Sequence, residues 1–202
     1  MKNETHLCAA CINELPLTYF HLNKDNSVEK TFWGRIVFEK AFAMLHFSKE
    51  GMVQKMLHQI KYKGNKDLAV YLGEMYGGML KTKGITADGL IAIPLHKSKL
   101  RKRGYNQSDY FVQGLSTVLQ IPILSNCVTR ISATESQTRK SRFARWENVQ
   151  EVFSVVEPSV LEHKHILICD DVITTGATIE GLCKVLPKTS KFSICAIATP
   201  SQ

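Results

Sequence analysis

The sequence predicts an α/β protein built on a parallel sheet, and three features carry that expectation. Two apolar runs, Gly89 to Ile93 and Ile166 to Ile168, lack polar alternation and so suit strands buried on both faces. Around them, apolar residues recur at helical spacing, so strands and helices alternate along the chain. Acids, hydroxyls and bases gather directly after the two runs, at the strand ends where open parallel sheets form their ligand crevice.

The 202 residues, 44% apolar and 22% charged, suit one globular domain with a small appendage. Residues 1–34 have little periodicity and read as a small module with one Cys-x-x-Cys pair and a linker; residues 35–202 read as the main domain. There, Ala41 to Phe47 is a candidate strand. Met52, Met56, Leu57 and Ile60 mark one helix, and Leu68, Leu72, Met75 and Met79 a second, with the methionines as core packing. The strand 89–93 ends at Pro94, and a helix follows from about Asn106 to Leu119 through Phe111, Leu115 and Val118. Residues 121–128 resume a short apolar pattern, which 130–148 lose in a long basic loop. A strand over 152–156, a helical turn over 158–162, the strand 165–169, a helix over 177–186 stopped by Pro187 and a strand over 192–198 complete the expected order.

The sharpest chemistry lies in Ile-Leu-Ile-Cys-Asp-Asp-Val-Ile-Thr-Thr-Gly-Ala-Thr, residues 166–178. Thr174, Thr175, Gly176, Ala177 and Thr178 open the helix that Ile179, Leu182, Cys183 and Leu186 continue. Unpaired N–H groups and hydroxyls there form a phosphate cradle. Asp170 and Asp171 do not suit a phosphate, because like charges repel, but they suit sugar hydroxyls or a divalent cation. On the residues alone, a phosphorylated-sugar site and a plain helix-capping turn both remain open. The string resembles the phosphoribosyl pyrophosphate (PRPP) motif of type I phosphoribosyltransferases. That resemblance implies their fold, with the acids on the ribose hydroxyls and residues 174–178 on the 5-phosphate.

Pro-Leu-His-Lys-Ser-Lys-Leu-Arg-Lys-Arg-Gly-Tyr-Asn-Gln-Ser (94–108) and the basic stretch 130–148 extend the likeness. Together with the motif they resemble the ComF/GntX-like proteins of phosphoribosyltransferase type, from Cys8 to Ala198. The resemblance implies that His96 and Lys97, with Arg101 and Arg103, face pyrophosphate, and that residues 131–148 close over PRPP. Closure has a physical purpose: loss of pyrophosphate builds positive charge on the sugar and negative charge on the leaving group, so cations such as Arg139, Arg142 and Arg145 stabilise the transition state. Two functions follow from the likeness. One is a phosphoribosyltransferase of amidophosphoribosyltransferase-like type that binds PRPP with Mg2+ and transfers phosphoribose to a nitrogen nucleophile. The other is a non-catalytic competence factor handling single-stranded DNA beside a DNA-uptake helicase, with Phe143 and Trp146 stacking on bases between the arginines.

A net charge of +8 and a pI of about 9.2 favour polyanionic partners of either kind. The lack of a long apolar run or signal-peptide core points to a cytoplasmic protein without a membrane partner. Cys127, Cys169, Cys183 and Cys195 sit singly among apolar neighbours, as small buried residues do. Cys8 and Cys11 have the spacing of half a zinc site. Members of the resembled family carry two such pairs, whereas this chain has one. His6 and His21, or a second chain in a homodimer, would have to complete the ligand set.

Overall fold

The computed structural model describes residues 6–131 and 153–201. Four parallel strands form the central sheet in the order β1, β6, β5, β2, where β1 is Lys40–Phe47, β2 Gly89–Ala92, β5 His165–Val172 and β6 Lys191–Pro200. Both faces are covered, which explains the unbroken apolar runs. Phe42, Met44, Leu90, Ala92, Leu167, Cys169, Cys195 and Ile197 face one core. The alternating residues Ala41, Ala43, Ile91, Ile166, Ile168, Ile194 and Ala196 face the other.

The first core is closed by α3 (Met52–Tyr62), α4 (Lys66–Thr82) and α6 (Gln107–Leu119). Helices α4 and α6 cross so closely that a Cβ on Gly73 would lie 2.2 Å from the Phe111 carbonyl, and one on Gly114 2.1 Å from the Val70 carbonyl. Only glycine fits at that crossing. The second core is closed by α2 (Ser27–Phe32), α7 (Pro158–Leu161) and α8 (Ala177–Cys183). A separate antiparallel ribbon pairs β3 (Val128–Arg130) with β4 (Phe153–Val155) and brackets residues 132–152.

Within the segment read as an appended module and linker, α1 (Ala9–Asn13) is short, and residues 15–32 pack onto the sheet. The Thr18 amide donates to the Met44 carbonyl (2.9 Å), and the His46 amide donates to the Pro16 carbonyl (2.8 Å). Asn26 caps α2 by accepting from the Val28 and Glu29 amides, and its own amide reaches the Ala41 carbonyl at 3.0 Å. Fully buried Val28 and Phe32 then anchor α2 in the second core.

Two local expectations are corrected. The stretch after β2 is not wholly loop: α5 (Lys97–Arg103) starts at a His96 cap and stops at Gly104, whose φ is +78°. Its one apolar residue, Leu100, is exposed, so hydrophobic spacing gave no sign of it. Helix α8 ends at Cys183, short of the expected Leu186, with the Val185 amide turning back to the Leu182 carbonyl. Cys127, Cys169 and Cys195 are buried as expected of small core residues, and Cys183 is partly buried. Among the described residues no helix is long and apolar enough to cross a membrane.

Candidate functional site

Strand β5 carries Asp170 and Asp171 to its carboxyl end, one on each side of the sheet's pleat. Their surroundings differ. Asp171 is buried, and its Oδ2 accepts from Lys61 Nζ (2.8 Å) and Gln107 Nε2 (2.6 Å). Asp170 keeps some exposure; its Oδ1 accepts from the Asp171 amide (2.8 Å) and Ser108 Oγ (3.3 Å). Burial first, and the neighbouring Asp171 carboxylate second, push the Asp170 carboxyl up to about 7.

The partners of the acids come from two distant motifs. Lys61 sits in the last turn of α3, beside buried Ile60. Gln107 and Ser108 form the first turn of α6, whose Asn106 cap also donates to the Ile93 carbonyl at 3.1 Å. The two helices are tied together: the Tyr105 hydroxyl donates to the Ile60 carbonyl, and Arg103 donates to Gln107 Oε1 (2.8 Å) and the Tyr62 hydroxyl (3.4 Å) while lying over the Tyr62 ring.

Beyond the acids, the chain leaves β5 through Ile173, held to β6 by its amide on the Ala198 carbonyl and by Thr199 Oγ1 on its own carbonyl. Thr174, Thr175 and Ala177 are exposed, Thr178 partly so, and Gly176 turns with φ +71° into α8. A Cβ on Gly176 would lie 2.5 Å from the Phe32 ring. Glycine is therefore required by both the backbone angle and the aromatic floor, beyond the ligand approach that the motif suggests. Arg35 braces the loop, donating to the Thr175 carbonyl (2.7 Å), the Thr31 carbonyl (2.9 Å) and the Glu180 carboxylate. Hydrogen bonds from Lys184 and Arg35 hold the Glu180 carboxyl below its ordinary range, so its charge at the start of α8 is compensated.

On the β2 side, His96 Nδ1 accepts from the Ser98 amide (3.2 Å) and lies 2.7 Å from Ser98 Oγ, which commits that nitrogen to capping α5. Lys97, Lys99, Arg101 and Lys102 are exposed along α5, whereas Arg103 turns to α3 and α6. Arg139, Arg142 and Arg145, with Phe143 and Trp146, lie outside the described residues.

The structure thus joins Asp170, Asp171 and residues 174–178 at one edge and adds Lys61, Gln107, Ser108, Arg35 and Phe32. Gln107 and Ser108 fall inside the stretch 94–108 already singled out; Lys61, Arg35 and Phe32 carried no sequence signal beyond their residue type. Among the described residues no group of three or more His, Cys, Asp or Glu side chains could hold a metal. At the N-terminus Cys8 Sγ accepts from the Cys11 amide, His6 packs on Tyr71, and His21 packs on Tyr76. At the acids, Asp171 Oδ2 already accepts from Lys61 and Gln107.

No family model matches the chain. The DNA utilization protein YhgH of Escherichia coli (strain K12) is 29% identical over 191 residues, which cover 92% of this chain and 79% of that protein. Competence protein F of Haemophilus influenzae is 37% identical over 102 residues, covering 50% of this chain and 44% of that protein. These relatives match the ComF-like resemblance. Among solved structures, a glutamine PRPP amidotransferase from B. subtilis aligns with a TM-score of 0.44 at 16% identity, over 68% of this chain and 30% of that one. Adenine phosphoribosyltransferase from Leishmania tarentolae aligns with a TM-score of 0.40 at 10% identity, over 88% and 89% of the two chains.

Proposed function

We infer that the chain binds PRPP at the carboxyl edge of the sheet and transfers its phosphoribosyl group to a nitrogen nucleophile, releasing pyrophosphate. The observation that carries this reading is the pairing on one strand-to-helix connection of two unlike subsites. Carboxylate oxygens of Asp170 and Asp171 can accept from ribose hydroxyls. A few residues on, the exposed Thr174 to Thr178 turn offers amides and hydroxyls to a monoester phosphate. A sugar held this way would turn its anomeric carbon toward the end of β2, the neighbour of β5, where His96, Lys97 and Arg101 would meet pyrophosphate. Positive charge there favours departure of the leaving group. Arg139, Arg142 and Arg145 would add cations on closure, and Arg103 acts by positioning Gln107. Mg2+, when bound with the substrate, would offset the negative charge of its phosphate groups.

Calorimetric titration with PRPP in Mg2+ tests the reading. We expect saturable binding that Thr174→Val, a change at an exposed position, weakens at least tenfold without moving the melting temperature. Equal affinity in the variant, or no binding by the wild type, overturns the site.

A second reading has its own support. The relatives named for competence and DNA utilization, the net charge of +8 and the four exposed bases of α5 favour single-stranded DNA as a ligand. The same titration with an oligonucleotide in place of PRPP distinguishes the two.

A further inference from the structure

We propose that Lys61 is the resident counter-cation of the aspartate pair, so that Asp170 and Asp171 address a sugar diol with no divalent ion bound to them. The sugar rests on the function inferred above; the role of Lys61 does not.

A divalent ion shared by adjacent carboxylates needs each to turn an oxygen toward it, with several oxygen ligands in all. Here Asp171 Oδ2 is taken by the Lys61 ammonium at 2.8 Å and the Gln107 amide at 2.6 Å. Asp170 Oδ1 is taken by the Asp171 amide and Ser108 Oγ. Among the described residues one oxygen of each carboxylate accepts no hydrogen bond and stays available to a sugar hydroxyl, while the Arg130 guanidinium adds a second positive charge that acts on Asp170. A dication entering there would face the Lys61 ammonium, which is itself held in place. The Tyr105 hydroxyl fixes the carbonyl of Ile60 on one side of it, and Arg103 fixes Tyr62 on the other. Arg103 also holds Gln107, so the two donors reach Asp171 as one unit built from α3 and α6. Lys61 is 21% and Asp171 8% exposed at the side chain, enough burial for the pair to persist in salt. Lys61 is therefore a positioning residue: it neutralises one acid, orients it and excludes the ion.

Manganese is a spectroscopic probe of such an ion site. Mn2+ alone is titrated at pH 8, followed by its paramagnetic resonance signal, into wild type, Asp170→Asn, Lys61→Gln, Lys61→Arg and the double variant Lys61→Gln/Asp170→Asn. We expect wild type, Asp170→Asn and Lys61→Arg to titrate alike. Lys61→Gln should gain at least tenfold in Mn2+ affinity and lose it again in the double variant. Wild-type Mn2+ binding abolished by Asp170→Asn overturns the proposal, and that comparison decides it even where Lys61→Gln fails to fold. A folded Lys61→Gln with no gain overturns it as well. A second titration uses ribose 5-phosphate in EDTA and in Mg2+. Wild type should bind equally in both, and a requirement for Mg2+ counts against the proposal. Absence of ribose 5-phosphate binding in either buffer removes the sugar reading, while the Mn2+ comparison still decides the role of Lys61.

Discussion

Two adjacent aspartates that look alike in the sequence have opposite energetic characters. The Asp170 carboxyl is raised from 3.8 to about 7, so the folded chain binds that proton more tightly than the unfolded chain. Its contribution to stability is fully present below about pH 4 and is lost as pH rises through about 7. Asp170→Asn keeps an oxygen for the Asp171 amide and Ser108 but never ionises. We expect it to leave stability unchanged near pH 4 and to raise it by roughly 1–2 kcal/mol at pH 8, partial solvent contact reducing the full effect. Asp171→Asn does the reverse, because it strands the Lys61 ammonium in a largely buried position. A loss of roughly 2–4 kcal/mol is expected at pH 8. Urea unfolding of both variants across this pH range checks the sign, and two losses of equal size would contradict it. The pairing that creates the difference joins positions 61, 107 and 171, which no local pattern connects.

At the scale of elements, the four strands of the central sheet and the long helices were legible because burial leaves its mark on the sequence, as unbroken apolar runs in the strands and a helical period in the helices. Residues 41–45, 166–169 and 194–198 are apolar and buried on both faces, and α3, α4 and α6 repeat apolar residues every three or four positions. Helices α2 and α5 were not legible, for different reasons. Six residues of α2 give only Val28 and Phe32 as anchors, too few to show a period, although Asn26 is a sound cap. Helix α5 has no buried residue at all and is defined by its ends. The glycines of α4 show how packing overrides propensity. Gly73 meets the Phe111 carbonyl, so Gly73→Ala should push α6 away and cost roughly 1–3 kcal/mol. Gly78 in the same helix has open space within 4 Å of where a methyl group would stand, so Gly78→Ala should stabilise by roughly 0.5–1 kcal/mol. Thermal unfolding of the pair separates the two effects, since propensity alone would stabilise both. Gly73→Ala should also weaken any ligand of Asp170, because α6 carries Ser108 and Gln107 to the acids.

At the scale of the molecule, the question is where a charge of +8 is presented. Acids and their lysine partner are folded inward at the sheet edge, whereas α5 shows Lys97, Lys99, Arg101 and Lys102 to solvent. The motif of residues 166–178 was readable because its chemistry is contiguous. The basic side of the crevice was readable only as composition, since α5 has no period and residues 132–152 are not described. Binding of a polyanion and binding of the ribose 5-phosphate half of PRPP would therefore draw on different parts of one edge, and a triple variant separates them. Lys99→Ala, Arg101→Ala and Lys102→Ala together should lower affinity for single-stranded DNA. They should also flatten its dependence on log salt by about 0.7 for each phosphate contact removed, to a limit of roughly 2. Affinity for ribose 5-phosphate, which lacks pyrophosphate, should stay within about twofold, because its subsites at Asp170 and Thr174 to Thr178 are untouched. If oligonucleotide affinity and salt slope survive the triple variant, α5 is not the nucleic-acid face. If ribose 5-phosphate is lost with them, the two ligands compete for the same groups, and the division of the edge into an acidic sugar subsite and a basic polyanion subsite fails.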